Sequence, residues 1–134
     1  MTENTDIRNR EDIDQFLILF YGAARQEPRL GPIFNTAIPE GSWPGHLEKI
    51  GNFWETILFH KAKYQGAPIP AHIELDKEMP LDKDLFERWL ALFRKTVDEH
   101  YAGPVAEEAK KRADLMVPLM LFKVESARRP GFIQ

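Results

Sequence analysis

Four histidines are the residues of this sequence best suited to metal chemistry: His46, His60, His72 and His100. The sequence contains no cysteine, which excludes disulfides, thiolate nucleophiles, iron–sulfur clusters and cysteine zinc sites. A metal site would therefore rely on imidazole and carboxylate ligands. His46 falls on the apolar face of a predicted helix, and His72 follows a proline-rich loop in the short segment from Ala71 to Leu75. By residue type alone, each also fits a structural histidine with one hydrogen-bond partner.

Tyr21 and Trp89 are two further candidates, because each places a hydrogen-bond donor on an otherwise apolar helix face. Buried tyrosines and tryptophans commonly find one partner for this donor, so both residues also fit ordinary core aromatics. The sequence shows no glycine-rich phosphate loop, no His-Glu-x-x-His zinc helix, no calcium-binding loop and no nucleophile-elbow motif. Residue chemistry alone therefore indicates a helical domain with buried aromatic and histidine side chains, and it leaves the activity open.

Apolar residues recur at helical spacing along almost the whole chain, and no long stretch alternates with the period of a β-strand. The pattern predicts four long helices, whose apolar positions run from Ile13 to Ala24, from His46 to Leu58, from Leu85 to Tyr101 and from Val105 to Val124. It also predicts one helical turn at residues 30–34, loops at 39–45 and 65–70, and a short segment at 71–75. Together these elements predict an all-α fold.

Capping and breaking residues set the predicted helix boundaries. A capping arrangement begins the first helix at Asn9, and Pro28 ends that helix. Ser42 is the predicted N-cap of the second helix, with Pro44 in its first turn. Pro118 lies inside the last predicted helix and is expected to bend it, because proline removes one backbone hydrogen bond.

The composition is that of a globular protein, with 43% hydrophobic and 29% charged residues and a formal net charge of -3. At 134 residues, we expect one domain over residues 1–134, with a core at about 6–125 and flexible termini that include residues 126–134. The negative charge argues against a nucleic-acid or anionic-membrane partner. The polar N-terminus is unlike a signal peptide, and no apolar run is long enough to span a membrane, so a soluble, cytoplasmic protein is expected.

Several short motifs, taken in order along the chain, resemble the third group of truncated globins, in which four main helices pack two over two around a haem. The resemblance covers about residues 6–121. Its parts are Phe20-Tyr21, the run from Leu30 to Phe34, Trp43-Pro44-x-His46, Phe53-Trp54, Tyr64-x-Gly66-x-Pro68, Pro70-x-His72-x-x-Leu75, Phe86-x-x-Trp89-Leu90-x-Leu92-Phe93, Thr96, Asp98-Glu99 and Gly103. The resemblance implies a globin-like, all-α fold and a haem b cofactor.

The same resemblance implies roles for individual residues. His72 corresponds to the proximal ligand of the haem iron, and the distal side where small ligands bind corresponds to Tyr21, Trp89 and His46. Whether His46 coordinates iron or controls ligand entry stays open. The expected haem-contact residues are Phe20, Phe34, Ile50, Phe53, Trp54 and Phe93, and the candidates near the haem propionates are Lys49, Lys61, Lys63 and Tyr64. The nine Phe, three Trp and three Tyr of the chain suit a flat, apolar cofactor.

Three functional hypotheses follow. The first is a b-type haem protein that binds O2, NO, CO or peroxide. Its two hydrogen-bond donors, Tyr21 and Trp89, favour slow release of the ligand. Slow release suits ligand chemistry or sensing better than ligand delivery. The second is an enzyme, either a haem-dependent peroxidase or a nitric-oxide-detoxifying protein, that uses an external reductase or electron donor. The third is a helical interaction module without haem, in which the aromatic residues form only a core.

Overall fold

The computed structural model describes residues 4–64, 66 and 68–129 of the chain, and this part is helical without any β-strand. Six α-helices follow one another within it: α1 Arg10–Ala24, α2 Leu30–Ala37, α3 Trp43–Phe59, α4 Pro68–Glu78, α5 Lys83–His100 and α6 Pro104–Ala127. A short 3-10 turn, Glu40–Ser42, precedes α3. The all-α prediction is confirmed. None of the helices in the described residues is both long and apolar enough to cross a lipid bilayer.

Side chains outside the helices accept the first backbone N–H groups of several helices, among them α1 and α6. The amide oxygen of Asn9 accepts the backbone N–H of Asp12 at the start of α1, as predicted. The carboxylate of Asp6 accepts the N–H groups of Val105 and Ala106 at 2.9 and 2.8 Å, at the start of α6. This second cap joins two parts of the chain that are far apart in sequence, so it ties the N-terminal segment to the last helix.

Helix α1 packs against α3 and α5, while α6 packs against α5 and α4. The predicted apolar stripes supply this contact, and the largest fully buried side chains are Phe20, Phe93, Ile13, Leu17, Val97 and Val124. Phe16 of α1 meets Phe93 of α5 edge-on, with ring centroids 5.1 Å apart. Buried apolar surface stabilises a fold by about 25 cal/mol per Å², so this aromatic and aliphatic core is what holds the helices together.

Two boundaries before α3 differ from the prediction. Helix α1 ends at Ala24, and the next helix runs for eight residues, Leu30–Ala37, instead of one turn. The carboxylate of Glu27 accepts the N–H of Leu30 at 2.7 Å, and Pro32 fits the first turn because a proline there gives up no intrahelical bond. Ser42 occupies the predicted N-cap position of α3, but it also ends the 3-10 turn and its side chain makes no capping bond.

The segment around His72 is a longer helix than the sequence pattern predicted. Helix α4 spans Pro68–Glu78, whereas the pattern predicted a loop at 65–70 and a short segment at 71–75. Pro68 and Pro70 fit its first turn, since the N–H groups of a first turn have no intrahelical acceptor and proline lacks only that donor. Of the remaining loop positions, Gln65 and Ala67 lie outside the described residues.

The end of the chain is more ordered than predicted up to Arg129, and residues 130–134 lie outside the described residues. Helix α6 continues through Ala127, and the next residue, Arg128, donates to the carboxylate of Asp76 at 3.0 and 2.7 Å. Arg128 also donates to the carbonyl oxygen of Leu81 at 2.8 Å. Asp76 is only 8% exposed and accepts the N–H of Leu81 at 2.7 Å. This ion pair therefore joins the end of α6 to α4.

We predict that Arg128→Gln lowers the free energy of unfolding by about 1–2 kcal/mol at pH 7, because it leaves the buried carboxylate of Asp76 without its ionic partner. Hydrogen bonds from Arg128 hold the pKa of Asp76 below its ordinary value of 3.8. Because the pKa of this carboxyl group is lower in the folded state than in the unfolded state, its ionised form stabilises the fold at every pH above the unfolded-state pKa. This stabilisation is lost as the pH falls through the folded-state pKa. The difference between variant and wild type should therefore shrink below pH 3.8.

Urea unfolding at pH 7 and at pH 3 measures this difference directly. Arg129→Gln is the matched control, since it removes an exposed arginine at the neighbouring position. An equal loss of stability in both variants, or a difference that does not change with pH, would contradict the role assigned to the ion pair.

Candidate functional site

His72 lies on α4 with its ring partly buried, and its Nδ1 atom is 2.7 Å from the carbonyl oxygen of Pro68. A carbonyl oxygen only accepts, so this contact places the hydrogen of the neutral ring on Nδ1. Burial lowers the pKa of His72, while the hydrogen bond to Pro68 acts in the opposite direction, and the ring is neutral at pH 7. The other nitrogen, Nε2, therefore carries a free lone pair, as a metal-ligating imidazole requires.

His46 lies near the start of α3 and is also neutral at pH 7. Burial is the main cause that lowers its pKa, followed by the nearby charges of Lys49 and His72. The two histidines lie on different helices, α3 and α4.

Tyr21 of α1 is buried next to His46 in an aromatic cluster. Its ring centroid lies 6.4 Å from that of His46, 5.9 Å from that of Trp43 and 5.4 Å from that of Phe34. Burial raises the pKa of Tyr21, and the side chain of Trp89 offsets part of this rise. The hydroxyl group therefore stays protonated and is available as a hydrogen-bond donor.

Trp89 of α5 extends the same cluster. Its ring stacks on Phe93 with centroids 5.1 Å apart and meets Phe20 edge-on at 5.3 Å. Trp54 of α3 stacks on Phe93 at 5.1 Å, and Phe20 meets Tyr21 edge-on at 4.7 Å. Side chains from four helices therefore form one continuous aromatic cluster, and this packing restricts the rotation of each ring.

An open cleft of about 550 Å³ lies beside His46. The residues that line it include Lys49, Lys63, Tyr64 and Glu48. Two cations, one anion and a phenol at the mouth of an aromatic cluster can bind a negatively charged group at the surface. The cleft is therefore the polar border of the candidate site.

Thr56 holds the loop that carries two of these cleft residues. Its hydroxyl oxygen accepts the backbone N–H groups of Lys63 and Tyr64 at 3.2 and 3.0 Å, and the hydroxyl donates to the carbonyl oxygen of Asn52 at 2.8 Å. The loop begins at His60, whose φ of 57° is in the left-handed region and ends α3. One threonine therefore fixes the loop against α3.

Most of the residues singled out in the sequence lie in this region. The aromatic cluster contains Tyr21, Trp89, His46, Phe20, Phe34, Trp54 and Phe93. The cleft contains Lys49, Lys63 and Tyr64, and the ring of Phe53 meets that of Tyr64 edge-on at 5.2 Å. Ile50 is partly buried on α3. Lys61 is exposed and is not among the residues that line the cleft.

The sequence pattern assigned no role to Trp43 and Thr56 of this region, or to Asp76, which pairs with Arg128 away from the cleft. Trp43 is buried beside Tyr21, and its position in the Trp43-Pro44-x-His46 motif was a usable signal. Thr56 acts through backbone groups of a later loop, and the partner of Asp76 lies at the other end of the chain. No local pattern could have identified these two.

Comparison with known proteins finds a similarity that spans most of the chain. No protein-family model matches the sequence. The chain is 34% identical over 110 residues to the group 3 truncated hemoglobin ctb of Campylobacter jejuni. These aligned residues are 81% of this chain and 84% of that protein. The crystal structure of the group III truncated hemoglobin from Campylobacter jejuni matches with a TM-score of 0.82 at 31% sequence identity, over 91% of this chain and 95% of that one.

Proposed function

Because this chain belongs to the group III truncated haemoglobins, we propose that it holds the iron of haem b through His72 and binds O2 or another diatomic ligand beside Tyr21, Trp89 and His46. The observation that carries the proposal is the state of His72, a neutral imidazole whose Nδ1–H is held by Pro68 and whose Nε2 is free. Haem would supply an iron atom that binds a small diatomic ligand, and the imidazole of His72 would hold that iron.

The partly buried apolar residues of α3 to α6 fit a flat ligand of this kind. Many of the large apolar side chains on helices α3 to α6 are only partly buried, among them Leu47, Ile50, Phe53, Ile69, Leu75, Trp89, Leu92, Met116, Val117 and Met120. A macrocycle placed between these helices would remove further apolar surface from water, at about 25 cal/mol per Å². The half-buried state of these side chains therefore supports a bound apolar group.

Tyr21 and Trp89 are the proposed distal donors. Each carries an O–H or N–H group within the aromatic cluster, and the packing around both rings fixes them before any ligand arrives. One hydrogen bond to a polar ligand contributes about 0.5–1.5 kcal/mol, and more where the acceptor is charged. Two such donors slow the release of O2, which supports ligand chemistry or sensing over delivery as the role of this protein.

An absorption spectrum of the purified protein, before and after addition of haemin, tests the proposed function. We expect a Soret band that saturates at one haem per chain, and a ferrous form whose spectrum shifts on addition of CO and of O2. A folded protein that does not bind haemin would overturn the proposal and would support a helical interaction module.

The cleft beside His46 is the proposed location of the haem propionates. We predict that Lys49→Gln and Lys63→Gln each speed haem dissociation by up to about fivefold, because an exposed ion pair contributes about 0.2–1 kcal/mol. Transfer of haem to an excess of an apoglobin acceptor measures this rate, and the effect should fade at high salt, where exposed charges are screened. Lys61→Gln is the control, since this lysine does not line the cleft. Equal effects of all three variants would exclude the assignment.

The neutral state of His46 favours a second candidate function, turnover of peroxide. A neutral imidazole beside Tyr21 could accept a proton from a bound peroxide and pass it to the departing oxygen, while the Tyr21 hydroxyl would donate a hydrogen bond. Haem would supply the redox chemistry, and an external donor would provide the two electrons that, with two protons from solvent, convert hydrogen peroxide to two waters. Steady-state peroxidase and nitric-oxide-consumption assays test this candidate, and rates no higher than those of free haem would reject it.

A further inference from the structure

The indole N–H of Trp43 is a buried donor without a partner. Trp43 is 6% exposed, and its Nε1 atom makes no hydrogen bond to any residue that the structure describes. It is also the one such orphaned side-chain atom in the described part of the chain. An unsatisfied buried donor costs about 1–3 kcal/mol, so a donor that persists in this state indicates an acceptor that the protein itself does not supply.

Trp43, Tyr21 and His46 together form a triangle of polar-tipped rings. Their centroids lie 5.9 Å apart for Tyr21 and Trp43, 5.5 Å for Trp43 and His46, and 6.4 Å for Tyr21 and His46. The Trp43 donor is therefore adjacent to two of the three residues proposed to form the distal side. Neither of these neighbours accepts from it in the structure.

Arg25 covers the indole from the outside. Its guanidinium carbon lies 4.6 Å from the centroid of the Trp43 ring, and the same group donates to Asn35 at 3.0 Å and to Glu40 at 2.6 Å. An arginine has no acceptor atom, so it cannot satisfy the indole N–H. Contact with the ring face leaves that N–H, which lies in the ring plane, available to another acceptor.

We propose that Trp43 is a third hydrogen-bond donor of the distal side, and that its N–H serves an oxygen-bearing acceptor held beside Tyr21 and His46. The acceptor is either the bound ligand or a water that bridges to it. This inference rests on the proposed haem function, since it assigns a further residue to the same site. The role of Trp43 is to position and stabilise a polar ligand, and its effect should be larger for O2 than for CO, which is a weak acceptor.

The first test measures the dissociation rates of O2 and CO from the haem-loaded Trp43→Phe variant. We expect O2 release to be faster by about twofold to tenfold, the range for one lost hydrogen bond, with CO release nearly unchanged. Phe keeps an aromatic ring but is smaller, so a packing defect would change both rates together. Equal changes for the two ligands, or no change for O2, would overturn the proposal.

The second test observes the N–H itself. The chain has three tryptophans, so labelling their indole nitrogens with 15N gives three N–H signals, and Trp43→Phe identifies the one that belongs to Trp43. On O2 binding we expect the Trp43 proton to move downfield and to exchange more slowly with solvent, while in the haem-free protein it stays at the position of an unbonded N–H. The CO-bound protein is the reference, since CO is a weak acceptor and should leave the Trp43 proton near its unbonded position.

The outcomes distinguish a failure of the proposed haem function from a failure of the role proposed for Trp43. A chain that does not bind haem overturns both the proposed function and this inference. A chain that binds haem and O2 normally, but whose Trp43 signal does not move and whose O2 release is unaffected by Trp43→Phe, overturns this inference alone.

Discussion

Replacing His72 with alanine is expected to abolish stable haem binding. Loss of residues that only orient a metal ligand typically costs 10- to 100-fold in affinity, so loss of the ligand itself should cost more than about 100-fold. The Soret band should be absent after gel filtration, and haemin added in excess should give the spectrum of free haem. The absorption spectrum and a haemin titration measure both effects. The reason is that Nε2 of this ring is the one free nitrogen lone pair that the structure presents from α4.

Two controls separate ligation from folding. His100→Ala makes the same change at an exposed histidine at the end of α5 and should keep the full Soret band. His72→Gly in the presence of imidazole should recover haem binding, because free imidazole can occupy the space of the lost ring. A wild-type spectrum in His72→Ala would show that another residue ligates the iron, and the proximal assignment would then be wrong.

The second large effect is expected for Tyr21→Phe, which should speed O2 dissociation by about tenfold. The substitution removes only the hydroxyl group, so the packing of the ring against Phe20 and Phe34 stays the same. A hydrogen bond to an acceptor with partial negative charge contributes about 1.5 kcal/mol or more, which corresponds to about tenfold in rate. Stopped-flow displacement of O2 by CO measures the dissociation rate.

Tyr101→Phe is the matched control for this measurement. Its hydroxyl group donates to the carbonyl oxygen of Asp12 at 3.1 Å, and neither Tyr101 nor Asp12 belongs to the proposed site. We expect no change in O2 release for this variant. If Tyr21→Phe also left the rate unchanged, Trp89 and His46 would have to account for the distal side without a tyrosine.

Local patterns in the sequence were enough to predict the fold class and to identify the main candidate site residues. Helical periodicity is a local property, because each apolar stripe is written within one segment, and it predicted the long helices α1, α3, α5 and α6. The ordered motifs then indicated the family, which sequence identity and structural similarity confirm. The roles of His72, Tyr21, Trp89 and His46 came from that resemblance and stay predictions.

Which side chains contact one another, and which tautomer or hydrogen-bonding state each adopts, depends on how the helices pack. The tautomer of His72 depends on a carbonyl of its own helix, which the sequence pattern had assigned to a loop. The orphaned N–H of Trp43 and the pair between Arg128 and Asp76 both depend on neighbours from other segments. Burial and hydrogen bonding between distant segments are properties of the packed chain, so no local pattern could predict them.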